Sequence, residues 1–197
     1  KQGDIITPLY DRPLNLGTSG FTSVGYPKSV PLGVVEAAEE LGLTHEHIKY
    51  NMFIGASTGP ELDDNFAKHG FINKRFPYQL GKQIQGGINQ GKIDFADQHL
   101  SSFGDRLILG TYSKDVLRGT DDQIDVAVIE ATQITEDGAI VPGASVGISP
   151  ELAFTANKII IELNTALPVC RGLHDILPYQ RPGARDPLLI KSAKDRV

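Results

Sequence analysis

The run Asp125-Val126-Ala127-Val128-Ile129-Glu130-Ala131 is β-branched and almost continuously apolar, the pattern of a strand buried on both faces. Such a strand belongs to a parallel or mostly parallel sheet covered by helices, so the flanking sequence is read for that grammar. Upstream, residues 14–16 form a short apolar run entering Gly17-Thr18-Ser19-Gly20-Phe21-Thr22. Residues 48–54 form a second, entering Gly55-Ala56-Ser57-Thr58-Gly59-Pro60. A helical period follows each loop, the first starting near Pro27 or Pro31 and stopped by Gly42, the second over residues 61–68 and stopped by Gly70. This β-loop-α order predicts an α/β domain with a mostly parallel sheet flanked by helices.

Residues 71–78 read as a third extended piece, and 82–89 as a helix in which Gly86 and Gly87 each cost about 1 kcal/mol. Residues 93–96 read as a short strand, Glu136-Asp137-Gly138 as a turn, Ile140-Val141 as a short strand and Ser149-Pro150-Glu151 as a helix start. Residues 158–163 read as another buried strand. Residues 1–13 are a proline-spaced lead-in and 14–170 the domain. Over 171–197, Pro178, Pro182, Gly183 and Pro187 break the pattern, as in an extended linker.

The 197 residues allow one full core, and 40% hydrophobic with 22% charged residues is ordinary globular usage. The net charge of −5 has no basic cluster interleaved with aromatics, which speaks against nucleic acid as a partner. No apolar run reaches the roughly 20 residues of a membrane helix, so no membrane partner is expected. Cys170 stands alone, which rules out an internal disulfide or a cysteine-based zinc site and fits a reducing compartment. Lys1-Gln2-Gly3-Asp4 has neither a signal-peptide nor a transit-peptide pattern, and the reducing compartments expected are the cytoplasm or the mitochondrial matrix.

A strand ending in glycines and hydroxyls brings free backbone N–H groups against an anion, the usual ligand position in an open α/β sheet; equally, any such fold needs glycine at these turns. A third loop, Gly143-Ala144-Ser145-Val146-Gly147-Ile148, runs into a helix start, and together the three suggest a crevice of glycine, serine and threonine. Glu130, at the end of the strongest strand, is either a nucleophile or base, or an acceptor of loop N–H groups that holds the sheet edge; Glu162 repeats the position, which favours the fold role. His45 and His47 sit in a polar turn with no third ligand in view, so no metal is expected. His99 and His174 read as buried hydrogen-bonding residues.

At this point the motifs GTSGFTSVGYPKSVP (17–31), GASTGPELD (55–63), INQGKIDFADQHLS (88–101), IDVAVIEATQITEDGAIVPGASVG (124–147), KIIIELNTALP (158–168) and GLHDI (172–176) stand in one order. In that order the chain resembles the N-terminal half of the acetyl-CoA hydrolase/acetate CoA-transferase family. The resemblance implies a class I CoA-transferase-like domain, with a fold shared by sugar-phosphate isomerases. It implies a catalytic glutamate in a C-terminal half, an acyl-glutamyl anhydride and a glutamyl-CoA thioester. The substrates are an acyl-CoA and a small carboxylate, with no permanently bound cofactor, and a homo-oligomer is expected. By motif, Ser57 and Thr58 belong to the acyl or carboxylate pocket, Gly20, Phe21 and Gly25 line the crevice, and Gln79 adds a polar wall. No residue of this chain is assigned as the nucleophile. Three departures stand out. Gly3-Asp4 lies far from Gly17. Leu80 replaces a common Thr and Ile148 a common Asn, each removing a polar group from the expected pocket wall. Hydrolase activity, and a non-catalytic carboxylate- or nucleotide-binding module, are the alternatives; an isomerase-like activity rests on fold analogy alone.

Overall fold

A computed structural model describes residues 12–56, 58–110, 114–115, 120–121, 124–174 and 176. In chain order the elements are β1 (Leu14–Thr18), α1 (Ser29–Glu40), β2 (Tyr50–Gly55), α2 (Asp63–Lys68), β3 (Ile72–Pro77), α3 (Lys82–Asn89), β4 (Asp94–Phe95), α4 (Leu100–Ile108), β5 (Lys114–Asp115), β6 (Thr120–Asp121), β7 (Ile124–Ile134), β8 (Ile140–Pro142), α5 (Ser149–Thr155) and β9 (Ala156–Leu163). The sheet runs β4-β3-β2-β1-β7, and every pairing in that series is parallel. The far side of β7 is shared. Parallel β9 lies along Ile124 to Ala131 and antiparallel β8 along Ala131 to Ile134. β5 and β6 form a separate antiparallel pair.

The apolar strands serve both faces by alternation. Met52, Ile54 and Val128 join Val35, Ala38, Leu62 and Phe66 in one core under α1 and α2. Phe53, Ala127 and Ile129 join Phe103, Leu107 and Leu152 in the other, under α4 and α5. The glycine stops act as expected. Gly42 and Gly70, at φ +67° and +73°, follow α1 and α2, and the next residues close the helices with Leu43 N–H to Ala38 O (2.8 Å) and Phe71 N–H to Phe66 O (3.0 Å).

Three elements differ from the sequence reading. β7 extends from Ile124 to Ile134, so Glu130 lies inside the strand and not at its end. β9, read as buried, has exposed residues at 157–160 and at Leu163, because it pairs with β7 alone and has no strand on its outer side among the described residues. α4 lacks a strong helical signal because Ser101, Ser102 and Gly104 dilute its period; His99 stands exposed before it and is not buried. His174 is half-buried, its Nε2 3.4 Å from the Pro142 carbonyl. Of the lead-in and linker, only residues 12–13 and 171–174 and 176 lie among the described residues.

β9 serves α1 across the molecule. α1 has no capping side chain of its own; the Glu162 carboxylate accepts the Lys28 N–H (2.7 Å) and the Val30 N–H (2.8 Å), two donors that an isolated helix leaves unmet. Glu162→Ala is expected to lower stability by about 1–2 kcal/mol, and Glu162→Gln, which retains an acceptor but not the charge, by roughly half as much, measured by urea unfolding.

Candidate functional site

β1, β2 and β3 are parallel, so the loops leaving Thr18, Gly55 and Pro77 emerge at one end of the sheet. The third loop reaches the first. The Ile148 N–H donates to Ser19 Oγ at 2.8 Å, and a Cβ on Gly147 would lie 2.1 Å from that oxygen. Gly25 presses on Ser145 so closely that a Cβ there would stand 2.6 Å from the Ser145 carbonyl oxygen. The second loop meets the first at Gly59, where a Cβ would fall 1.9 Å from the Tyr26 hydroxyl. The glycines thus serve close packing of loop on loop, and the three loops form one wall.

The second loop is held from below by a buried ion pair. Arg75, fully buried, donates through Nε to Asp63 Oδ1 (3.1 Å) and through Nη2 to Asp63 Oδ2 (3.0 Å). Nη2 also reaches the Ala56 carbonyl (3.3 Å) and Nη1 the Phe76 carbonyl (2.7 Å). Asp63 Oδ2 in turn accepts the Thr58 N–H at 3.4 Å. A fork this well matched orders the chain on both sides of residue 57, and its desolvation is offset by the carbonyls that complete the guanidinium's bonding.

Tyr26 and Lys28 connect the first loop to everything around it. The buried Tyr26 hydroxyl donates to Glu61 Oε2. Burial first, and the Glu61 bond second, raise the Tyr26 phenol above its ordinary range; the same bond is the main cause that holds Glu61 below the usual glutamate range. Lys28 Nζ lies 4.1 Å from the centre of the Tyr26 ring and donates to the Tyr26 carbonyl (2.8 Å) and to Glu130 Oε2 (2.9 Å). Glu130 also accepts from Asn164 Nδ2 at 3.4 Å. Its side chain is 1% exposed, so it belongs to the frame, the second of the two roles its position allowed.

Of the sequence-predicted residues, Gly20 is buried against Tyr26 and Val24, and Gly25 against the third loop. Phe21 projects into solvent, 57% exposed. Thr58 is buried. Ser57 lies outside the described residues. Gln79 follows β3 at the same end of the sheet, and its Oε1 is buried with no hydrogen-bond partner. Ile148 turns its side chain into the core beside Gly55 and offers the loop only its N–H, whereas Leu80 is half exposed. Sequence reasoning gave no role to Tyr26, Glu61, Asp63 and Arg75; the first three lie inside the family motifs at 17–31 and 55–63, which was the available signal, and Arg75 lies outside every quoted motif.

Phe21 and Val24 exchange N–H···O bonds of 2.8 and 3.1 Å around Thr22 and Ser23, which stand at φ +45° and +70°. Two positive φ values in a two-residue turn suit Asn-Gly; Thr-Ser there stores about 1 kcal/mol or more of strain.

Comparison with known proteins follows the same lines. The family model described as the acetyl-CoA hydrolase/transferase N-terminal domain matches residues 4–181. The chain is similar to the acetyl-CoA hydrolase of Schizosaccharomyces pombe, 46% identical over 192 residues, covering 98% of this chain and 36% of that protein. It is 48% identical over 182 residues to the acetyl-CoA hydrolase of Neurospora crassa, covering 92% and 34%. It therefore spans about a third of the length of the curated relatives it matches. Among solved structures, RipA from Yersinia pestis superposes with a TM-score of 0.55 at 15% identity, over 79% of this chain and 34% of that one. Glutaconate coenzyme A-transferase from Acidaminococcus fermentans gives 0.53 at 14%, over 75% and 63%. At these identities the likeness is one of fold.

Two outcomes are expected from this geometry. Tyr26→Phe should cost about 1–2 kcal/mol at neutral pH. Because the folded Glu61 titrates below its unfolded value, the contribution is present above the ordinary glutamate range and is lost as pH falls through the folded value. Because Tyr26 titrates above its unfolded value, its share is full below the ordinary tyrosine range and is lost as pH rises through the folded value. Wild-type and variant unfolding curves should converge as pH falls through the folded Glu61 value, and in alkali the wild type should lose stability faster than the variant. Ser23→Gly should raise stability by about 0.5–1 kcal/mol by relieving the turn, read from the urea midpoint.

Proposed function

The chain belongs to the acetyl-CoA hydrolase/transferase family, and from that premise we propose that it is the N-terminal domain of an acyl-CoA:carboxylate CoA-transferase of the acetate/succinate type. The observation that carries the proposal is the wall of three glycine loops at one end of the parallel sheet, packed loop on loop through Gly25, Gly59 and Gly147. A reaction that moves CoA between carboxylates builds an oxyanion and holds an anionic acceptor, and preorganised N–H donors serve both.

The nucleophilic glutamate lies outside this chain, in the part of the relatives it does not span. Its carboxylate oxygen attacks the thioester carbonyl, the C–S bond breaks and the CoA thiolate leaves, giving an acyl-glutamyl anhydride. The thiolate then attacks the glutamyl carbonyl of that anhydride, the C–O bond breaks and the acyl group departs as a carboxylate, leaving glutamyl-CoA. An acceptor carboxylate reverses the sequence. In this reading Ser57 and Thr58 belong to the acyl or carboxylate pocket, Gly20, Phe21 and Gly25 line the crevice beside them, and Gln79 adds a polar wall. Glu130 and Glu162 are spoken for by Lys28 and by α1, which supports leaving the nucleophile elsewhere.

Hydrolysis is the second reading, favoured by the relatives' description as acetyl-CoA hydrolases. The two differ only in whether a carboxylate or water resolves the intermediate. The test joins this chain to a family C-terminal portion and supplies acetyl-CoA with labelled acetate or succinate. Label appearing in the acyl-CoA pool is the expected result. CoA release that ignores added carboxylate would establish the hydrolase instead. Neither exchange nor release by the joined protein would overturn both and leave binding without catalysis.

A further inference from the structure

β9 pairs with β7 from Ala156 to Leu163 in one parallel register without a shift. The Asn164 N–H donates to the Ala131 carbonyl (2.8 Å), so by strand alternation the even-numbered N–H groups of β9 face β7, and those of Asn157, Ile159, Ile161 and Leu163 face away from it. No strand lies on that outer side among the described residues. The register also sets the side chains. Ile159 and Leu163 stand beside Ala127 and Ala131 on the α4–α5 face, and Ile160 beside Val128 on the α1 face. Val128 is 4% exposed, whereas Ile159, Ile160 and Leu163, one strand further out, are 41%, 44% and 49% exposed.

Apolar residues on both faces suit the interior of a parallel sheet, and a long regular edge is one that proteins cover, bend or charge. β9 has no proline or bulge, and of its two charged residues Glu162 is engaged by α1. The chain directly after β9 does not cover it. Cys170 N–H donates to Thr132 Oγ1 (3.3 Å) and His174 Nε2 lies 3.4 Å from the Pro142 carbonyl, which ties that segment to β7 and β8 past the stretch that β9 lines. Over residues 177–197, the prolines at 178, 182 and 187 lack the N–H that pairing needs, and no apolar run is longer than Leu188-Leu189-Ile190. The curated relatives, of which this chain spans about a third, extend well beyond the matched stretch.

We propose that the outer edge of β9 receives a strand from the part of the polypeptide that the relatives carry beyond this chain, apolar on both faces so as to cover Ile159 and Leu163 on one side of the sheet and Ile160 on the other. The two parts are then joined by sheet hydrogen bonds, a strand addition within one protein. The proposal rests on the open edge and on the relatives' length, and stands whether or not the transferase reading does.

The test compares hydrogen exchange at single amides in this chain and in the same chain extended by the C-terminal portion of the Schizosaccharomyces pombe relative; it needs no turnover. In the chain alone the Ile160 and Glu162 amides, which face β7, should exchange slowly and those of Ile159, Ile161 and Leu163 fast. Extension should slow these three about a hundredfold. Ile159→Pro removes an outward donor and no bond to β7, so it should return Ile161 and Leu163 of the extended protein to fast exchange. Fast exchange of the three amides in both unaltered proteins would overturn the proposal. So would slow exchange already in the chain alone, whether independent of concentration, through residues 177–197, or growing with it, through a second copy. Should Ile159→Pro fail to fold, the two unaltered proteins decide.

Discussion

Glu130 and Glu162 stand directly opposite one another in the parallel pairing of β7 with β9. Two like charges in that relation repel, and burial of Glu130 removes the water that would screen them. Lys28 resolves the conflict twice over, giving its ammonium to Glu130 and its backbone N–H to Glu162. One residue thereby fixes the end of the first loop, the start of α1 and the joint between two strands. A neutral residue at position 28 would leave a buried carboxylate without its charge partner, the case in which an interior ion pair matters most.

The loops inherit their order from this joint and from the Arg75–Asp63 pair. Tyr26 lies two residues before Lys28 and bears on Gly59, so the first and second loops are placed relative to one another by a phenol whose proton is committed to Glu61. Arg75 holds the backbone at Ala56, and Asp63 holds it at Thr58. The resulting wall is stiff except where Phe21 and Val24 turn outward, and the tip is the part strained by its own side chains.

Much of the fold was legible because its signals are local. The helix over residues 82–89 appears at those bounds despite two glycines, since Ile84 still reaches the core, and Gly42 and Gly70 stop their helices because only a left-handed residue closes those bonds. What failed was global. Lys158 to Leu163 carries the same apolar run as a central strand, and nothing in the run tells that, among the described residues, no strand lies on its outer side. α4 was hidden by serines and a glycine that tertiary packing tolerates. At the site, the glycine loops were readable because close approach demands glycine. Their supports were not, because an Arg and an Asp twelve residues apart become partners only once β3 and α2 are folded.

The cap of α1 has a consequence for how the molecule is made. Lys28 and the glutamate that receives its N–H are 134 residues apart, and β1 pairs with a strand more than a hundred residues downstream. During synthesis the first helix and the first glycine loop leave the ribosome with neither their cap nor the neighbour strand that should lie beside them. The sheet grows past β1 only when β7 adds to it, and β9, made later still, then adds to β7, so its middle is completed late. A topology of this contact order folds slowly, and until β7 arrives the edge of β1 is open to any other strand in reach.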